Sequence, residues 1–374
     1  MENEGPSKNI TIAGLVLFVI FGGYYFYLSR IKPDEPSSFA FWLRTDKPVV
    51  ECIPPLEITA SSSPQSLVWD RKIEAAAWPA RDAHAMFAFN DKLWIIGGLD
   101  GSAVSRGTNV QYWEAPHFND IWVSANGCDW KLAGRTPWPG RRSLSVVEFN
   151  GALYMLGGWA PEGGYKNDIW TSKDGTRWKK IVERAEWPGR EGQVVVAFNN
   201  KLWLVGGVHF DKREAKNDVW SSADGISWTQ EPTPPFAPRY DHDLEVFNGK
   251  LWLSGGVVLG GRGFAEEWVS EDGKNWSLVS AEAPFGYRHG HIMIAHRNLL
   301  WIVGGWDTVS DRGSSESWYS ADGVLWQKTG EDGPWMGRED HAVVEFKNRL
   351  WLTGGMSGTK DEVRWTNDVW VLMF

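Results

Sequence analysis

Six positions along the chain carry residues suited to chemistry, and they recur at a near-constant interval. Each follows an arginine that stands sixteen residues before a Gly-Gly pair: Arg81, Arg141, Arg190, Arg239, Arg288 and Arg338. The residues after these arginines are Asp82, Arg142 with Ser143, Glu191, Tyr240 with Asp241, His289, and Glu339 with Asp340. Carboxylates, a guanidinium, an imidazole and a phenol are the groups of acid–base catalysis and of polar ligand recognition. They differ from unit to unit where the rest of the pattern repeats, and a binding site needs such asymmetry. No nucleophile with a partnered base can be assigned among them, so no catalytic residue is named.

Two repeated sets look chemical but read better as structure. The six arginines could form an anion trap, yet an acid recurs two residues before a tryptophan in every unit: Asp120, Asp168, Asp218, Glu266, Glu316 and Asp368. Arginine–carboxylate pairs that brace the loop ends are therefore expected. His84, His242, His291 and His341 each stand thirteen residues before a Gly-Gly pair. Equivalent positions on neighbouring units diverge, so these are read as structural, with neither a metal site nor a cofactor expected.

The elements that position these residues come from a repeat. From Arg190, an alternating segment runs to Phe198, an Asn199-Asn200 turn leads into Lys201–Val205, and Gly206-Gly207 ends it. A polar loop, a strand through Trp220, a turn from Ser222 to Gly225 and a strand from Trp228 complete the unit. Period-two runs joined by Asn/Gly turns make a four-stranded antiparallel meander. Gly-Gly recurs at Gly97, Gly157, Gly206, Gly255, Gly304 and Gly354, at intervals of 60, 49, 49, 49 and 50 residues. A period near fifty with four strands per unit predicts an all-β radial array of six blades.

These residues resemble the kelch repeat, over roughly residues 66 to 374. The whole is similar to a six-bladed kelch propeller of the galactose-oxidase central-domain type. That resemblance implies ligand binding at the rim positions named above and at the neighbouring loops. The turns from Ser172 to Trp178, Ser222 to Trp228, Ser270 to Trp276 and Ser320 to Trp326 look like the Asp-box turn of sialidase propellers, with a variant from Ser124 to Trp130. Such turns brace hairpins rather than touch substrate. The sialidase arginine signature and the Tyr–Cys pair of copper radical oxidases are absent.

Of 26 tryptophans, 21 fall at repeated positions and read as packing between blades. Trp42 lies ahead of the repeats, and Trp113, Trp159, Trp306 and Trp365 lie between a Gly-Gly pair and the next third strand. Off-register aromatics on long loops of a rigid scaffold are binding candidates.

The net charge of −9 excludes nucleic acid as a partner, since no basic stripe is present to neutralise phosphates. Ile10 to Leu28 carries no charge and predicts one transmembrane helix within an anchor of residues 1–30, uncleaved because no small-residue pair follows. Residues 31–64 read as a Pro/Ser-rich tether and 65–374 as the propeller. Leu67–Ile73 matches a fourth strand and 367–374 a third, so the amino-terminal strand is expected to close the last blade. The two cysteines, Cys52 and Cys128, are candidates for one disulfide, which requires an oxidising compartment. The expected protein is a single-pass membrane-anchored propeller facing away from the cytoplasm that binds or scaffolds a protein or glycan. The alternatives are a carbohydrate-active enzyme of sialic-acid mutarotase or sialidase type, and a structural subunit of a membrane complex.

Overall fold

Strands such as Lys201–Val205 arise where branched and aromatic residues alternate between two buried faces. The turn before it is fixed by Asn199 and Asn200 at φ 48° and 59°, the left-handed pair that suits a tight hairpin. The computed structural model describes residues 16–20, 23–27, 64–106, 109–110 and 112–373. The chain divides into two compact units, Met1–Val49 and Val50–Phe374.

In the larger unit, six antiparallel sheets of four strands follow one another. The third is typical: Val194–Phe198, Lys201–Val205, Val219–Ser222 and Thr229–Gln230, each paired with the next in sequence. The sixth differs. Its strands Ala342–Phe346, Arg349–Thr353 and Val369–Met373 are completed by Val68–Ile73, with Val68 opposite Met373 and Ile73 opposite Val369. The first strands of successive sheets touch one another in a closed ring. Apolar side chains fill the six layers between adjacent sheets. Trp187, Trp203 and Trp301 are among the most deeply buried.

Two devices repeat in every sheet, and a third in all but the sixth, with Asn126 in place of the aspartate in the first. The buried arginine donates Nη1 to the carbonyl of the first Gly-Gly glycine, at 2.8 Å for Arg190 and Gly206. It also grips the recurring acid, as Arg81 does Asp120 with paired bonds of 2.7 and 2.9 Å. That acid accepts the indole N–H of the tryptophan two residues on, Trp122 at 2.7 Å. Second, a residue other than glycine is excluded where the chain leaves the second strand. Gly98 has φ 89°, and a Cβ there would lie 2.5 Å from the Asp82 carbonyl oxygen. Third, the Ser-x-Asp-Gly turns close on themselves: Ser222 Oγ accepts the Gly225 N–H at 2.8 Å, and Asp224 Oδ1 accepts those of Ile226 and Ser227 at 2.8 Å each.

The expected transmembrane helix differs from what is described. Val16–Ile20 and Gly23–Tyr27, inside the segment Ile10–Leu28, form an antiparallel strand pair. Valine, isoleucine and aromatic residues favour extended backbone as readily as an apolar helix, and Gly22-Gly23 breaks the run. Among the described residues no helix is long and apolar enough to cross a membrane. Trp42 and Cys52 lie outside the described residues, as does most of the expected tether. Cys128 is 2% exposed and is disulfide-bonded.

Candidate functional site

The stapled arginines fix the backbone one residue before the variable positions, so those positions share one face. The residue two after each arginine is left-handed: Ala83, Ser143, Asp241 and Asp340 have φ of 48°, 50°, 51° and 51°, with Gly192 and Gly290 at 64° and 58°. This conformation is costly for any residue but glycine. It is held by backbone bonds that circle the axis, each N–H donating to the carbonyl of the preceding sheet. Ala83 donates to Asp340 (2.9 Å), Ser143 to Ala83 (2.8 Å), Asp241 to Gly192 (3.0 Å), Gly290 to Asp241 (2.8 Å) and Asp340 to Gly290 (2.9 Å). At the remaining step, Gln193 Nε2 donates to the Ser143 carbonyl at 3.3 Å.

Above this ring opens a cavity of about 730 Å³. Ten of the twelve residues singled out from sequence line it: Asp82, Arg142, Glu191, Tyr240, Asp241, His289, Glu339, Asp340, Trp113 and Trp159. Ala83, Ser143, Asp241 and Asp340 also border a smaller chamber of about 150 Å³ that holds His84, His242, His291 and His341. Burial, and the arginines beside them, push His242 and His341 down to about 3 and His84 and His291 well below the usual imidazole range. These imidazoles are neutral at physiological pH. His84 Nε2 lies 3.0 Å from Thr353 Oγ1 and His291 Nε2 lies 2.8 Å from Ser254 Oγ. Among the described residues no group of three or more histidines, cysteines and acids is placed to hold a metal ion.

Trp306 and Trp365 lie elsewhere. They are 6% and 7% exposed and pack with Leu99, Ala115 and Met356 into an apolar cluster of their own. The Trp306 indole donates to Asp311 Oδ1 at 3.0 Å, while its backbone pairs with His289. A Cβ on Gly101 would lie 2.3 Å from the Trp365 ring, which therefore occupies the space a side chain would need. These two anchor loops rather than face the cavity. Tyr112, Tyr165, Phe210 and Asp211 also line it but were not selected from sequence. The rule that picked out Trp113 and Trp159 finds the three aromatics once tyrosine and phenylalanine are counted with tryptophan in the same loops.

Arg142 is the cavity's organising cation. Its Nε lies 2.8 Å from Glu191 Oε2, and its guanidinium stands 4.5 Å over the Tyr112 ring and 5.3 Å from that of Trp159. Burial opposes its charge, but Glu191, Tyr112 and Asp82 together raise it above the usual range. His289 Nδ1 lies 3.0 Å from Glu339 Oε2. Burial would make that imidazole neutral, yet Glu339 and Asp241 outweigh it and push it up. Four lining carboxyls are left without an ion pair among the described residues, the exposed Asp211 and three deeper ones, Asp82, Asp241 and Asp340. Burial pushes Asp82 up to about 8 and Asp241 up to about 7, against the pull of Arg142 and His289 respectively. Asp340 is pushed well above the carboxylate range by burial and then by Asp241, Glu339 and Asp82.

A closed ring of sheets with a cavity at its axis defines a β-propeller with a loop-face site. The chain belongs to the family described as the DUF6242 beta propeller domain, whose model matches residues 63–371. It is similar to the solved structure of YjhT, with a TM-score of 0.62 and 16% identity, over 78% of this chain and 95% of that one. At that identity the likeness shows the fold alone. It is also 28% identical over 131 residues to the dynein alpha chain of the flagellar outer arm from Chlamydomonas reinhardtii, 33% of this chain and 3% of that protein.

Proposed function

We propose that this protein is a six-bladed propeller of kelch type that binds a saccharide in the loop-face cavity. One observation carries the reading: the wall of the roughly 730 Å³ cavity combines aromatic faces with buried carboxylates and one arginine. Sugars present C–H faces to aromatic rings and hydroxyls to carboxylates, and a concave site of this size suits a few rings better than a flat protein surface. Trp113, 62% exposed at the rim, supplies a platform without being needed for the core. The test is a screen of immobilised glycans with the purified chain, repeated on Trp159→Ala and Trp113→Ala. Binding that both substitutions weaken, with unchanged unfolding midpoints, supports the reading. A screen without hits removes it.

A second reading is acid–base chemistry on the bound sugar. It is favoured by two carboxyls, Asp82 and Asp241, lifted into the neutral range beside a histidine. Interconversion of sugar anomers, followed by magnetisation-exchange NMR, separates the two. Catalysis lost in Asp241→Asn makes the protein an enzyme, and exchange at the uncatalysed rate leaves it a binding module.

We further propose that Ile10–Leu28 attaches the protein to a membrane and that Cys52 is the partner of Cys128, which places the propeller in an oxidising compartment. Membrane fractionation tests the attachment. Intact-mass analysis of alkylated, unreduced protein tests the bridge, and two alkylated thiols would remove it.

A further inference from the structure

We infer that the cavity is built for a ligand carrying a positive charge, of which a saccharide with a free amine is the simplest case. The inference rests on the reading of this cavity as a saccharide site. Charges can be paired off one by one. Arg142 is spent on Glu191, at 2.8 Å, and His289 on Glu339, at 3.0 Å. Asp82, Asp241 and Asp340 then line the same cavity with no ion pair among the described residues. Asp82 is only 2% exposed, its Oδ1 makes no full hydrogen bond, and the Trp365 indole is the donor turned toward it. A buried carboxyl so weakly served gains from an entering N–H group.

Geometry gathers the other two at the axis. Asp241 and Asp340 occupy left-handed positions in the backbone ring, each leaning over a glycine of the preceding sheet. A Cβ on Gly192 would lie 2.5 Å from Asp241 Oδ1, and one on Gly290 would lie 2.8 Å from Asp340 Oδ1. The left-handed backbone at the aspartates and the bare glycines beside them thus seat two carboxyls at the floor. Tyr112 and Trp159 already hold Arg142, but the Tyr240 ring beside Asp241 adds an aromatic face to the same cavity, and such faces attract a cation. A carboxylate or phosphate on the ligand would find these carboxyls protonated and gain no ion pair from them. An acidic sugar is therefore the poorer occupant.

Proton linkage gives the inference a second signature. The groups facing the three carboxyls are Arg142, His289, Glu191, Glu339, Asp100 and the phenols of Tyr112 and Tyr240. Below about pH 7 Asp241 holds a proton, and below about pH 8 so does Asp82, and an arriving cation displaces them. Affinity for a cationic ligand then rises with pH, by about tenfold per unit for each proton released.

The experiment is isothermal titration calorimetry of the full chain with tetrasaccharides of equal length. The probes are a glucosamine tetramer with free amines, its N-acetylated form, cellotetraose and tetragalacturonate, with spermidine as a cation that is not a sugar. The free-amine tetramer should bind about tenfold or more tighter than the neutral ones, and release protons between pH 5.5 and 7. Asp241→Asn and Asp340→Asn keep the left-handed backbone, which asparagine tolerates, and should erase that gap. Equal affinity for amine and N-acetyl forms, or preference for tetragalacturonate, overturns the inference and leaves the saccharide reading standing. Binding of spermidine with no sugar bound keeps the inference and overturns the saccharide reading. Silence from all five probes overturns both.

Discussion

Asp218 shows what one side chain does six times over. It takes two bonds from Arg190 and one from the Trp220 indole, and Arg190 is fully buried. Asp218→Ala leaves that guanidinium with only backbone carbonyls, so it should destabilise the protein by about 3–5 kcal/mol, read by urea unfolding. Arg190→Lys should recover little, because an ammonium cannot reproduce the paired bonds. The staple acids also set one limb of a pH profile. Burial opposes their ionisation, but the arginine bonds win and hold Asp120, Asp168, Asp218 and Asp368 below the usual range. Their stabilisation is complete above about pH 4, the unfolded value, and is lost as pH falls through the folded values. Buried Asp243 and Glu267 do the reverse. Burial lifts them to about 7 and about 8, so the fold holds protons that the unfolded chain gives up above pH 4. Stability should therefore fall as pH rises from about 4 to 8. The urea midpoint is expected to be higher at pH 7 than at pH 9, a window above the unfolded histidine value where the buried neutral histidines no longer oppose the trend. Glu267→Gln, which can still accept the Trp326 indole N–H, should flatten that slope.

Elements separate the tryptophans by duty. Trp220→Ala and Trp306→Ala should each cost about 3–5 kcal/mol as buried truncations, whereas Trp113→Ala should stay within about 0.5 kcal/mol while weakening glycan binding. Equal losses at Trp113 and Trp220 in thermal unfolding would undo this division. Sequence reasoning put Trp306 and Trp365 in the site because both sit off-register in the right loops, and loop membership alone does not say which way an indole turns. Trp306 turns inward because its backbone joins His289 in a strand pair, and short pairings of two residues leave no period to read. The same reasoning passed over Tyr112 and Phe210 because only tryptophan had been sorted. Gly-Gly spacing and the Asn199-Asn200 turn were legible because they rest on local backbone chemistry. The left-handed Ala83 and Ser143 were not, since their conformation comes from bonds to a neighbouring sheet rather than from their own preference.

At the scale of the whole molecule, the sixth sheet is completed by a strand about three hundred residues away in sequence from its partner. A chain that begins at Trp78 lacks Val68–Ile73, exposes the edge of Val369–Met373, and should aggregate or lose cooperative unfolding, unlike one that begins at residue 61. Indistinguishable urea transitions for the two would contradict this. The backbone ring at the axis carries a different consequence, for the timescale of opening. A helix or hairpin frays from its ends, and its terminal amides trade hydrogen with solvent first. A circle of five backbone bonds, closed at its sixth step by the Gln193 side chain, leaves one weak joint rather than two free ends. The amides of Ala83, Ser143, Gly290 and Asp340 belong to loops by position, yet with that of Asp241 they should exchange with deuterium as slowly as the strands beneath them.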